Sequence, residues 1–266
     1  MITIGIVGCG AISQALLKAA QSGQLPVTVA GVTSRSRDRA DAFLATLPSP
    51  PPYLELADLI AQSDLVIEAA AGSIVPELAE QTFSAGKDLM IISIGALIQH
   101  PEVMDMARSA NCSLYAPSGA IAGLDGLKSA SIGEVYEVTM TSRKPPHGLE
   151  GAPYLLEHEI SLEGLTEERE VFYGNALEAA KGFPSNLNVS AAVGLAGVGF
   201  ERTMVRLIAV PGLERNWHDV RVEGEFGLLT IHIENIPSEN PKTGRLTALS
   251  IIRAVKDVAD PVRIGN

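Results

Sequence analysis

Gly8 and Gly10 break the apolar run of Ile4, Ile6 and Val7 and open directly onto residues 11–20 (AISQALLKAA), which have the apolar spacing of an amphipathic helix. A buried strand, a glycine turn and an immediate helix leave the backbone N–H groups of Gly10, Ala11 and Ile12 free at a helix N-terminus. Such groups hold a pyrophosphate by hydrogen bonds and through the helix dipole. The spacing Gly8-x-Gly10-x-x-Ser13 matches the first two glycines of the dinucleotide fingerprint. The first glycine permits the tight turn, and the second lets phosphates approach the backbone. The third position only sets how closely helix packs on strand, which the small Ser13 tolerates. Glycine suits any tight strand-to-helix turn, so a turn without a ligand is the competing reading. The clear strand-to-helix context favours the dinucleotide.

Val27–Thr33 (VTVAGVT) reads as the second strand, and it runs into Ser34-Arg35-Ser36-Arg37. A site selective for NAD places an Asp or Glu near this point to bind ribose hydroxyls. Here the nearest acid is Asp38. Ser34 and Arg35 instead suit a 2′-phosphate, to which a guanidinium makes bidentate, charge-assisted bonds. NADP(H) is therefore expected to be accepted, alongside NAD(H). Solvated charges at a helix start are the alternative for Arg35 and Arg37.

Hydride transfer belongs to the nicotinamide, so the protein must orient a substrate and manage protons. The histidines are His100, His147, His158, His218 and His232. His232 alternates within a strand (TIHIEN) and His158 lies in an acidic stretch (LEHEIS), so both read as surface residues. His147 follows Lys144-Pro145-Pro146 in a loop. His218, in Arg215-Asn216-Trp217-His218-Asp219, stands beside the single Trp and just before a strand, and is the strongest proton handler of the set. Among the cations, Arg143 and Lys144 end a strand, and Arg202 and Arg206 flank another. Lys242 with Thr243 stands at a helix N-terminus, a natural carboxylate site. Taken singly, each of these also reads as a solvated charge.

The scaffold for these groups shows in the alternation of strands and helices. After the second strand come helical stretches at 37–46 and within 53–62, separated by the rigid loop 48–52 (PSPPP). The strand Leu65–Glu68, a helix at 75–85, a strand at 88–94, a helix at 100–109 and a strand at 113–116 follow. This spacing predicts an α/β fold, a Rossmann-type doubly wound parallel sheet. Gly72 and Gly95 fall after strands, on the carboxyl edge where such sheets take ligands. The pattern changes near Pro117. Strands at 131–142, 170–173, Thr203–Ala209, 218–224 and 228–236 alternate apolar and polar residues, as in VYEVTMTSR, with helices at 175–182 and 187–199. This is a second, α+β domain. The expected division is 1–116 for dinucleotide binding, 117–239 for substrate and dimerisation, and 240–266 for a C-terminal helix (244–258) that returns to the first domain.

Composition bounds the partners. At 266 residues, 46% hydrophobic and 19% charged, the chain fills a sizeable interior and can spare apolar area for a subunit interface. A net charge of −11 argues against nucleic acid or an anionic membrane, while leaving room for a local basic pocket. Cys9 and Cys112 are too few for a disulfide framework, and with no signal peptide at Met1 a reducing cytoplasm is expected. The longest uncharged run, 182–200, contains Pro184, Asn186 and Asn188 and makes a poor membrane span. No metal is assigned.

Seven separated stretches, in order, resemble the L-aspartate dehydrogenase family. They are 6–12 (IVGCGAI), 93–97 (SIGAL), 117–125 (PSGAIAGLD), 142–145 (SRKP), 184–189 (PSNLNV), 216–218 and 240–250 (NPKTGRLTALS). The resemblance implies interconversion of L-aspartate with oxaloacetate and ammonia through iminoaspartate, with NAD or NADP as cofactor, in a homodimer, and one implied role is in NAD biosynthesis. It places Ala120 and Asn188 at the nicotinamide end of the cofactor and makes His218 the acid/base, a role suited to an imidazole titrating near neutrality. The two substrate carboxylates would fall to Lys242 with Thr243, and to Arg143 or Lys144. A reductase of dihydrodipicolinate or homoserine type, or a non-catalytic NADP(H)-binding sensor, would share the N-terminal fingerprint. The first would carry other substrate-domain strings, and the second would leave Asn188, His218 and Lys242 without a task.

Overall fold

Continuous apolar runs form strands that are covered on both faces, and the first half of the chain is built from them. The computed structural model describes residues 1–184, 187–236, 244–262 and 264. Among these residues the chain divides into two compact units, one spanning Met1–Pro117 and Ala248–Arg263 and the other Ser118–Thr247. In the first unit, β1 (Ile2–Val7), β2 (Val27–Thr33), β3 (Leu65–Glu68), β4 (Asp88–Ile91) and β5 (Leu114–Tyr115) pair in parallel in the order β2-β1-β3-β4-β5. They alternate with α1 (Ala11–Gln21), α2 (Arg37–Leu44), α3 (Leu56–Ala61), α4 (Val75–Ser84), α5 (Ala96–Gln99) and α6 (Glu102–Ala110). Ile4, Ile6, Leu65, Ile67 and Met90 of the strands are buried with Leu16 and Leu17 of α1. Each such side chain stabilises the fold by roughly 1.5–3 kcal/mol. The doubly wound parallel sheet is the expected one. Its strand order reverses between β1 and β3, and the crevice outside their carboxyl ends is where such sheets bind ligands.

The second unit carries α7 (Leu124–Ala130), β6 (Val135–Lys144), α8 (Pro153–Glu157), β7 (Arg169–Asn175), α9 (Ala176–Gly182), α10 (Leu187–Ala196), β8 (Thr203–Ala209), β9 (Asn216–Gly224) and β10 (Gly227–Asn235). The strands form a mixed sheet in the order β10-β9-β6-β8-β7, with β6 parallel to β8 and the other pairs antiparallel. Alternation gives it one buried face, with Val138, Met140, Val205, Leu207, Val220 and Val222. Asn175 caps α9: its side chain accepts from the Glu178 N–H at 2.9 Å, and the Glu178 carboxylate accepts from the Asn175 N–H at 2.8 Å. Finally, α11 (Arg245–Ala259) lays Ile251 and Val255 into the core of the first unit.

The differences from expectation are local. The strand expected at 88–94 stops at Ile91, where the Ile92 N–H is shared between the Glu68 carbonyl at 3.2 Å and its carboxylate at 3.1 Å, and the Ser93 N–H turns onto that carboxylate at 2.9 Å. The strand expected from residue 131 begins at Val135, since Ser131 and Gly133 close the end of α7 with backbone bonds to Leu127 and Ala130. The short α5, α7 and α8 give too few turns for a periodic signal. Among the described residues, no helix is long and apolar enough to cross a membrane.

Candidate functional site

The turn after β1 has the geometry of a phosphate cradle. Gly8 has φ +108°, and a Cβ there would run into the Ala69 carbonyl oxygen, so only glycine fits. Helix α1 starts at Ala11 with neither a side-chain cap nor an acidic residue in its first turn. Its N-terminal N–H groups and positive dipole end are thus left for an anion. On the open side of the turn, a Cβ on Gly10 would meet no described atom within 4 Å. Gly8, Cys9 and Gly10 line a cavity of ≈ 590 Å³ that continues along Thr33–Ser36 and is walled by Ala69–Ala71. Gly8, Gly10, Ala11 and Ile12 therefore suit the dinucleotide role assigned to them from sequence.

At the end of β2 the cavity is lined by Ser34, Arg35, Ser36 and Arg39. The Tyr53 hydroxyl donates to the Ser34 carbonyl at 2.7 Å and fixes this loop. Arg37 is turned away from the role of phosphate ligand: its guanidinium lies 4.7 Å from the Tyr53 ring centroid and pairs with Asp41 at 3.5 Å. Glu55 also lines the cavity, an acid brought there from beyond the Pro-rich loop. Arg39 and Glu55 were missed from sequence, since one sits in the first turn of α2, past the string at the end of β2, and the other reaches the site through tertiary folding.

In the second unit, β6 and β9 pair with Ser142 opposite His218 and Arg143 opposite Trp217. Side chains alternate faces, so Ser142, Lys144 and His218 share the buried face, while Arg143, Trp217 and Asp219 share the other. His218 is 4% exposed, and its Nδ1 lies 2.9 Å from the Ser142 hydroxyl. That contact fixes the ring and leaves Nε2 as the other reactive nitrogen. Burial pushes the His218 pKa down to about 3, and the positive charge of Lys144 adds to the depression. Burial alone pushes Lys144 down to about 8. A His218 titrating near neutrality is thus corrected: desolvation beside a cation holds the imidazole neutral throughout the physiological range.

The structure sorts the remaining candidates. Lys144 joins His218; Arg143 does not, because it points to the opposite face and pairs with Asp219 at 2.6 Å. On that face Arg143, Arg206, Arg221, Trp217 and His232 line a separate concavity of ≈ 570 Å³. Ala120 lies in a turn whose carbonyl accepts from the buried Asn235 side chain at 2.8 Å. Asn235 pairs with Asn216, two residues from His218, so this anchor sits at the same end of the sheet. Asn188 is exposed at the start of α10. Lys242 and Thr243 lie outside the described residues. Ser142 was missed as a functional residue; its place one alternation before Lys144 was the available signal.

Comparison with known proteins bears on both halves. Residues 125–258 match the family described as "Aspartate dehydrogenase, C-terminal", and residues 8–117 match "Homoserine dehydrogenase, NAD binding domain". An L-aspartate dehydrogenase of Methanosarcina mazei is 45% identical, with 100% of both chains covered. An L-aspartate dehydrogenase of Bordetella bronchiseptica is 40% identical over 99% of this chain and 97% of its own. The crystal structure of an aspartate dehydrogenase from Thermotoga maritima superposes with a TM-score of 0.76 at 26% identity, covering 100% of both chains.

The desolvated Lys144 has a consequence for stability. Its folded pKa of about 8 lies below the ordinary 10.5, so between those values the unfolded chain holds more protons and stability rises with pH. Replacing Lys144→Met should stabilise the protein at pH 7, and that advantage should shrink by about 2 kcal/mol by pH 10. Urea unfolding of both proteins at the two pH values measures it; a constant difference would mean that Lys144 is not desolvated.

Proposed function

The chain belongs to the L-aspartate dehydrogenase family, and on that footing we propose that it oxidises L-aspartate to iminoaspartate, which water converts to oxaloacetate and ammonia. The observation that carries this reading is the buried Ser142–His218 pair, with half-buried Lys144 on the same face, in a chain that also builds a dinucleotide cleft. When bound, the nicotinamide cofactor supplies the hydride acceptor. Gly8, Gly10 and the N–H groups of Ala11 and Ile12 hold its pyrophosphate, and Ala120 and Asn188 serve its nicotinamide end. Ser34, Arg35 and Arg39 suit the 2′-phosphate of NADP, whereas Glu55 suits the free ribose hydroxyls of NAD, so both cofactors are accepted.

The protein's own groups handle protons and charge. Below about pH 8 Lys144 is cationic and binds a substrate carboxylate; Lys242 and Thr243 are assigned the second. Bound carboxylates offset the field of Lys144 and raise the affinity of His218 for a proton, so the neutral imidazole becomes a competent base when substrate is present. His218 takes a proton from the substrate ammonium, or from the water that attacks the imine, and returns it to the departing ammonia. Ser142 holds the ring at Nδ1 so that Nε2 does this work. Arg143 has no part in the step.

The family model of homoserine type matches only residues 8–117, and a sensor gives the His218 cluster no use. We assign the enzyme to the cytoplasm and to a homodimer. The open face of the second sheet supports the dimer: Arg206–Glu170 and Arg143–Asp219 pairs beside Tyr173 and Trp217 offer both charges and aromatic area to a two-fold copy.

In an amino-acid panel with NAD and NADP, read at the nicotinamide absorbance, L-aspartate should be the substrate that turns over. His218→Ala should lower kcat by about two to four orders of magnitude with dinucleotide Kd unchanged; retention of most of the rate would remove its role. Arg35→Asp should raise the KM for NADP about tenfold or more and leave that for NAD nearly unchanged. An unaltered preference would return Arg35 to the solvated surface. Light scattering should give twice the mass of one chain, and a single-chain mass would remove the dimer.

A further inference from the structure

Glu68, the last residue of β3, is a fully buried carboxylate to which the proposed chemistry gives no task. Its Oε1 accepts from the Ala70 N–H at 2.8 Å and from the Ser93 hydroxyl at 3.0 Å. Its Oε2 accepts from the N–H groups of Ile92 and Ser93, at 3.1 and 2.9 Å. Burying a carboxylate costs several kcal/mol unless its lone pairs are used, and here four neutral donors converge on it. A carboxylate accepts at both oxygens without donating, which no neutral side chain of this shape does.

The loops that Glu68 joins are arranged in layers. Ala69–Ala71, Ser73 and Ile74, after β3, wall the dinucleotide cavity. On one side this loop meets the glycine turn: the Ala69 N–H donates to the Val7 carbonyl at 2.8 Å, and the Ala69 carbonyl sits where a Cβ of Gly8 would fall. On the other side it leans on the loop after β4, where a Cβ at Gly72 would lie 3.4 Å from the Ala96 Cβ and 3.7 Å from the Ser93 Cβ. Within the run Ala69-Ala70-Ala71-Gly72, Ala69 and Gly72 are half-buried against these two neighbours, while Ala70 and Ala71 are exposed along the cavity.

We propose that Glu68 is a positioning residue for the cofactor, tying the wall of the cleft to the loop behind it and so fixing the width between that wall and the glycine turn. The proposal rests on the reading that this cleft takes a pyridine dinucleotide. Calorimetric titration of the wild-type protein with NAD, NADP and NADPH checks that reading first; no binding of any of them would strike the reading itself. Given binding, Glu68→Gln keeps the shape but turns an NH2 toward N–H donors. It should weaken dinucleotide binding about tenfold and raise the dinucleotide KM to match, with kcat at saturating cofactor within about twofold. A lowered melting temperature with unchanged Kd and KM would mark a merely structural carboxylate and overturn the proposal. If that variant does not fold, Ser93→Ala decides, since it removes one bond of the four. About threefold weaker binding supports the proposal, and unchanged affinity overturns it.

Discussion

The two-residue period of one strand pair governs the chemistry of the second unit. Because β6 and β9 hold Ser142 opposite His218, the even-numbered residues from Val138 onward in β6 and through β9 face the core and the odd-numbered ones face away. A slip of one residue would exchange Ser142, Lys144 and His218 for Arg143, Trp217 and Asp219, replacing a dry cluster with a wet, ion-paired one. The apolar residues Val138, Met140, Val220 and Val222 lie on the same face and make that slip prohibitive. Core packing and site geometry are thus one constraint.

Dryness then sets the electrostatics. His218 is buried and Lys144 half-buried beside it, and desolvation holds each back from its proton. An amino acid with two carboxylates would supply the missing counter-charge, so affinity for substrate and basicity of the imidazole would rise together.

Much of the first unit was legible because its signals are local. Val27–Thr33 and Leu65–Glu68 have the bounds read from their apolar runs, and Gly8 and Gly10 announce the turn by residue type alone. What sequence did not carry was depth and direction. Arg143 and Lys144 are neighbours in the chain with the same sign of charge, and only the strand's pleat sends them to opposite faces. His218 was picked out by its company, but its protonation state follows from the burial and from Lys144, both tertiary. Ser142 was marked only by its alternation with Lys144 and matters through a partner across the sheet, and Glu68 gave no local pattern, since it matters through a loop that follows a different strand.

The helix α11 gives the first unit an unusual assembly order. Ile251 and Val255 complete a core begun by Ile4, Leu16 and Leu17, so that core draws on both ends of the polypeptide. During synthesis the first unit leaves the ribosome first yet completes its core only after the second unit has emerged. Without α11, Ile4, Leu16 and Leu17 would lose the cover of Ile251 and Val255, leaving apolar surface open to water.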